Sequence, residues 1–120
     1  MDNLYRYIEV DKIQDVFCVH LKQSRLEEME IEALGGELVN LIQDGGCRKL
    51  VLNLGLNSPT VLFSLFLAKL VLAHRHLLEV NGAMRLCAVN SYIMEVFQAC
   101  RLDSYFEFAP DQNAAVGELA

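Results

Sequence analysis

Apolar positions along the chain follow two periods. "LYRYIEV" and "VFCVHL" are β-branched and aromatic runs separated by "DKIQD", whose Gln14 and Asp15 suit a tight turn, so this stretch predicts a hairpin. From Leu26 to Ile42 the apolar set Met29, Ile31, Leu34, Leu38, Leu41 and Ile42 recurs mostly at three and four residues, the spacing of one helical face. Gly35 and Gly36 interrupt that helix at a cost of about 1 kcal/mol each relative to alanine, which predicts close packing against a sheet or a local irregularity. Asp44, Gly45 and Gly46 end it. "KLVLNL" lacks alternation and reads as a central strand covered on both faces. Val61 to Val80 reads as a long helix closed by Asn81 and Gly82, and "MRLCAV" as the next strand, which implies a right-handed parallel crossover. "SYIMEVFQAC" reads as a shorter helix capped by Asn90 or Ser91, with Ile93, Val96 and Phe97 on one side. A short strand in "SYFEFA" and a terminal helix started by Pro110 or Asp111 complete the order β-β-α-β-α-β-α-β-α. The expected fold class is α/β: a mixed sheet of about five strands with an N-terminal hairpin, packed against about four helices, in one domain over residues 1–120.

Composition narrows the function classes. An apolar fraction of 53% with 22% charged residues fits a packed domain rather than a disordered chain. The net charge of −6 sets a field that repels phosphate backbones and anionic lipid heads, so neither nucleic acid nor a membrane surface is an expected partner. Val61 to Ala73 is apolar but shorter than the roughly 20 residues that span a bilayer, and Lys69 interrupts it. "MDNLYRYIEV" has no basic segment followed by an apolar one, so no secretory signal is expected and the cytoplasm is the default address.

The reactive residue types form no constellation. Cys18, Cys47, Cys87 and Cys100 occur singly, without zinc-ligand spacing, and Cys18 and Cys87 inside apolar strands read as reduced packing residues. His74 and His76 diverge on a helix and read as surface residues, and the acidic start Glu27, Glu28, Glu30 and Glu32 is what a helix dipole favours. "LGLNSP" has no Lys and is no phosphate loop. With no catalytic triad, metal site or cofactor motif, an enzyme is not expected.

The element order, with "KLVLNL" as its central strand, "NGAMRLCAVNSYIMEVFQACRLDSYFEF" and the closing "AAVGEL", resembles the STAS domain of sulfate transporters and anti-sigma factor antagonists over almost the whole chain. The resemblance implies a non-enzymatic module of bacterial partner-switching signalling and transcription regulation. Its implied partner is a protein of the ATP-binding fold that acts as anti-sigma factor or serine kinase. In that family a serine in a D-S-x-G-[LIV] motif at a helix start is phosphorylated and the partner is released. Counting back from Asn81 and Gly82 through the helix without gaps, that position falls on Ser64; counting rigidly from the strand, it falls on Leu62. The flanks are degenerate: Phe63 stands in place of Asp and Phe66 in place of Gly, while Leu67 agrees. Ser58 and Thr60 are the next phosphoacceptor candidates.

Local chemistry frames the same segment differently. "NSPT" reads as a helix start with Asn57 or Ser58 as cap and Pro59 in the first turn, which sets Ser64 more than one turn inside, its hydroxyl free to bond back to the carbonyl of residue 60. Ser64 is then either an unmodified helix serine or a switch. Val61, Leu62, Phe63, Leu65, Phe66 and Leu67 encircle the helix, whereas a sheet covers one side. Either a neighbouring element buries the remainder, or an apolar patch anchored by Phe63 and Phe66 is exposed for a protein partner or a second copy of the chain. The expected docking residues are Asn57, Ser58, Thr60, Leu62, Phe63 and Phe66. The alternative is a small-molecule or nucleotide-binding domain using Asn53, Asn57, Ser58, Asn90 and Ser91 at the carboxyl ends of the strands.

Overall fold

The computed structural model describes residues 5–60 and 63–120, Phe63 by its backbone only. β1 (Ile8–Ile13) and β2 (Val16–Leu21) pair antiparallel, with Ile13 opposite Val16 across Gln14 and Asp15. Gln14 takes a positive φ of 58° at the first central position of the turn, as the primed hairpin turns require. β3 (Lys49–Asn53), β4 (Ala83–Cys87) and β5 (Phe108–Ala109) then add in parallel, giving the order β1-β2-β3-β4-β5. The helices are α1 (Glu28–Gln43), α2 (Phe63–Glu79), α3 (Ser91–Ala99) and α4 (Gln112–Leu119). The mixed sheet, its hairpin and the element order are those that the periodicity predicts.

Alternation sorts the core into two layers. Leu50 and Leu52 of β3 share one face with Phe17, Val19, Met84 and Leu86, beneath apolar residues of α1, α2 and α3. Val51 faces the other way, with Val16, Cys18, Cys87 and Ala109, beneath Ala115, Val116 and Leu119 of α4. That double covering is why "KLVLNL" carries no polar alternation. Helix termini are closed by local chemistry: Asn90 Oδ1 accepts from Ile93 N–H at 2.8 Å, Asp111 Oδ1 from Ala114 N–H at 2.9 Å, and the Glu30 carboxylate from Glu27 N–H at 2.8 Å. Asn81 turns α2 off with a φ of 60°, and Gly82 N–H reaches back to Leu77 O at 2.7 Å. Among the described residues no helix is long and apolar enough to cross a membrane.

Several local expectations are corrected. Met29, placed on the apolar face of α1 by spacing, stands 83% exposed in its first turn. Gly35 packs against α2 rather than the sheet: a Cβ there would lie 2.6 Å from Lys69 Cδ, whose chain runs across the glycine to bond Glu32 at 2.6 Å. "SYFEFA" yields a strand of only two residues because Tyr105 and Phe106 N–H both bond back to Leu102 O at 3.1 Å, spending the preceding residues in a turn. The thiols of Cys18, Cys47 and Cys87 are buried and that of Cys100 is exposed; burial pushes Cys47 up to about 12 and Cys87 to about 11, as expected of packing residues.

His74 is no simple surface residue. Its ring stands edge-on to Tyr105 at 4.9 Å and tilted to Phe106 at 5.6 Å, and its Nδ1 is buried without a hydrogen-bond partner. Burial holds this imidazole below its ordinary value of 6.5. The open or unfolded chain therefore binds the extra proton more readily than the fold. The contribution is fully present above pH 6.5 and is lost as pH falls below it. Amide protection around Tyr105 and Phe106, taken relative to the intrinsic exchange rate at each pH, is expected to fall on acidification below that value, and His74→Phe is expected to flatten this dependence; an unchanged pH profile in the variant would refute it.

Candidate functional site

The carboxyl ends of β2, β3 and β4 share one rim, because the parallel strands run the same way. The β3–α2 connection is tied to its neighbours at each step. Leu54 N–H bonds Cys87 O at 3.0 Å; Asn53 Oδ1 accepts from Gly55 N–H at 2.8 Å, while its Nδ2 donates to Gln112 Oε1 at 3.3 Å. Gly55 lies so close to the β4–α3 connection that a Cβ would stand 2.7 Å from Ala88 Cβ. Asn57 adopts a φ of 53° and its Nδ2 donates to Leu21 O at 2.9 Å; Ser58 Oγ donates to Leu54 O at 2.5 Å; Thr60 N–H bonds Ser24 O at 3.2 Å.

Those bonds correct the expected helix start. Asn57 to Thr60 are not helical, and neither Asn57 nor Ser58 caps α2, since their polar groups are committed to Leu21 and Leu54. Pro59 is buried in the connection instead of opening the helix. α2 runs from Phe63, so Ser64 sits exposed in its first turn rather than deep inside. A first turn keeps backbone N–H groups without intrahelical acceptors, next to the positive end of the helix dipole, and that environment suits an anionic group.

Phe66 requires the opposite correction. It is 0% exposed and belongs to the large core layer with Leu67, Leu70 and Leu38, so it cannot anchor an exposed patch. α1 lies beside α2, and together with the sheet it covers a second side of the helix, which is the neighbouring-element reading of the encircling apolar residues. Leu62 and the Phe63 side chain lie outside the described residues. Among the other expected docking residues, Thr60 is exposed, Asn57 is exposed with its amide engaged, and Ser58 is half-buried with its hydroxyl engaged.

Leu56 and Tyr92 are rim residues that periodicity does not single out, 52% and 63% exposed. Leu56 is an apolar residue inside a turn, and Tyr92 stands in the first turn of α3, off the Ile93–Phe97 stripe. With Met29 in the first turn of α1 they set three large apolar side chains around the end that carries Ser64. The ligand-binding candidates fare differently, since Asn53, Asn57, Ser58 and Asn90 all spend polar atoms on the fold. Among the described residues the strand order is sequential with the crossover helices α1, α2 and α3 on one face, without the reversal of order that opens a ligand crevice in doubly wound sheets.

No family model matches the chain. Among solved structures, it is similar to an anti-sigma-factor antagonist (STAS) domain protein from Planctomyces limnophilus, with 24% identity, coverage of 94% of this chain and 98% of that one, and a TM-score of 0.77. An anti-sigma factor antagonist from Mycobacterium paratuberculosis is 18% identical, covering 93% of this chain and 92% of that one at a TM-score of 0.76. The Bacillus cell fate determinant SpoIIAA in its phosphorylated form is 16% identical, covering 94% and 99% at a TM-score of 0.70. At these identities the likeness establishes the fold, and the fold is that of STAS domains.

Proposed function

From the fold shared with STAS domains, we propose that this chain is a non-enzymatic regulatory module of the bacterial cytoplasm that docks a protein partner on the carboxyl-end rim of its sheet. The observation that carries this reading is the exposed Ser64 in the first turn of α2, beside a tied-down connection that presents Leu56. Leu56, Thr60, Ser64, Tyr92 and Met29 form the docking face; Leu62 and Phe63 are partner-contact candidates from their place in the sequence alone. The partner is a protein of the ATP-binding fold acting as anti-sigma factor or serine kinase, and a second copy of the chain is the competing occupant.

Ser64 is the regulatory position. Phosphorylation adds a charge of roughly −1.5 to −2 at pH 7. The positive end of the α2 dipole favours that charge on this chain. On the partner's side the same charge confronts apolar contacts such as that of Leu56 with desolvation and repulsion, so the complex weakens without any change of fold.

The test pairs modification with binding. The protein is incubated with candidate kinases of that fold and ATP, mapped by peptide mass spectrometry, and titrated with the same partners by calorimetry. The expected results are phosphate on Ser64 and about a tenfold or greater loss of affinity in Leu56→Asp, an exposed change that leaves stability within roughly 0.5 kcal/mol. Phosphate on Ser58 or Thr60 instead would move the switch, and full affinity in Leu56→Asp would remove the rim from the interface.

A further inference from the structure

β1 is the long edge of the sheet. Tyr7 O accepts from Lys22 N–H at 3.0 Å, which makes that pair a hydrogen-bonded one; by alternation Glu9–His20, Asp11–Cys18 and Ile13–Val16 are hydrogen-bonded too. The N–H and C=O groups of Ile8, Val10 and Lys12 therefore point away from β2, and among the described residues no strand pairs with them. The opposite edge, β5, is two residues long and offers no comparable template.

The side chains of this edge state which strand it would take. On the side shared with α4, β1 presents Glu9 half-buried and Asp11 exposed, and neither carboxylate forms an ion pair among the described residues. α4 packs chiefly on β2 to β5, and Asp11 on that side of β1 is exposed. On the other side Ile8 and Val10 are sealed in the core and the exposed Lys12 sets its ammonium 5.2 Å from the Phe17 ring centroid, so the edge offers backbone groups, with negative charge on its α4 side, rather than an apolar groove. A second copy fits poorly. In either face-matched antiparallel register that engages most of β1 with its copy, Glu9 would stand opposite Asp11 or Asp11 opposite Asp11, and like charges directly across a ladder are destabilising.

We propose that the β1 edge accepts an extended, cationic segment of another protein as an added strand. Its backbone pairs with Ile8, Val10 and Lys12, and its alternate Lys or Arg residues fall beside Glu9 and Asp11. The surface lies at the side of the sheet and stands independently of the rim around Ser64.

The probe is a capped peptide of alternating valine and lysine, added to ¹⁵N-labelled protein, with amide exchange read residue by residue. The expected result is exchange slowed about tenfold or more at Ile8, Val10 and Lys12, absent with the matching valine–glutamate peptide, and absent in a folded Glu9→Lys/Asp11→Lys variant. Should the double variant unfold, Asp11→Asn serves in its place and is expected to weaken the protection. Unchanged exchange at those amides, an equal effect of the acidic peptide, or perturbation centred on Glu27 to Glu32 would each overturn the proposal. Protection that rises with protein concentration alone would assign the edge to a second copy instead.

Discussion

Phe66→Asp is expected to unfold the protein rather than merely to cost it a partner. The ring is 0% exposed and packed with Leu38, Leu67 and Leu70 in the large core layer. Truncating such a ring to alanine costs about 3–5 kcal/mol through lost transfer energy and the cavity left behind. An aspartate adds an unpaired carboxylate in an apolar site, a further penalty of several kcal/mol whether it is met by desolvation or by protonation. Against a total stability of roughly 5–15 kcal/mol, the sum removes most or all of the native population. Far-UV circular dichroism with urea titration reads this directly: Phe66→Ala should melt at a markedly lower urea concentration, and Phe66→Asp should show no cooperative transition. A native-like midpoint for Phe66→Asp would mean that the ring is not in the core. Leu56→Asp is the matched control, because half of that side chain already faces water.

Gly82→Ala is expected to cost about 1–3 kcal/mol, the usual range for overpacking a close contact. A Cβ at this position would meet Arg48 O at 2.5 Å, Leu77 Cδ2 at 2.9 Å and Leu77 O at 3.1 Å. Neither carbonyl is at liberty to move: Arg48 O accepts from Ala83 N–H at 2.8 Å and Leu77 O from Gly82 N–H at 2.7 Å. The substitution thus sets the exit of α2 against the start of the β3–β4 ladder. Gly36→Ala makes the comparison sharp, since nothing lies within 4 Å of a Cβ there and the site is an exposed helix interior. That change should stabilise by roughly 0.5–1 kcal/mol. Urea midpoints moving in opposite directions at constant m-value are the expected outcome, and a neutral Gly82→Ala would show that the contact yields.

The order of elements was legible because its signals are local. Apolar spacing marks each helix, unbroken apolarity marks β3, and Asn90 and Asp111 sit where their side chains cap the next turn. The start of α2 was not legible, because what holds Asn57 to Thr60 out of the helix comes from far along the chain, from Leu21 O and Ser24 O. Pro59 has the same local meaning in either case, and only those partners decide it. Phe66 and Met29 were misplaced for one reason in two directions. Periodicity says which residues share a helical face, but the burial of that face depends on which element lies alongside. α1 does so for Phe66; Met29, in the first turn of its helix, projects into solvent. Leu56 and Tyr92 carry no periodic signature, and their exposure follows only once the rim is assembled.

The two sides of the sheet differ in how they can come apart. Three helices share the larger layer, and α1 and α2 also lie against each other. The smaller layer has α4 alone, fastened by Ala115, Val116 and Leu119, by the Arg85–Glu118 bond at 2.8 Å and by the long Asn53–Gln112 bond. Its detachment would bare the sulfurs of Cys18 and Cys87 together while the larger layer kept its contacts. Access of oxidants to those two thiols therefore depends on the grip of one short helix.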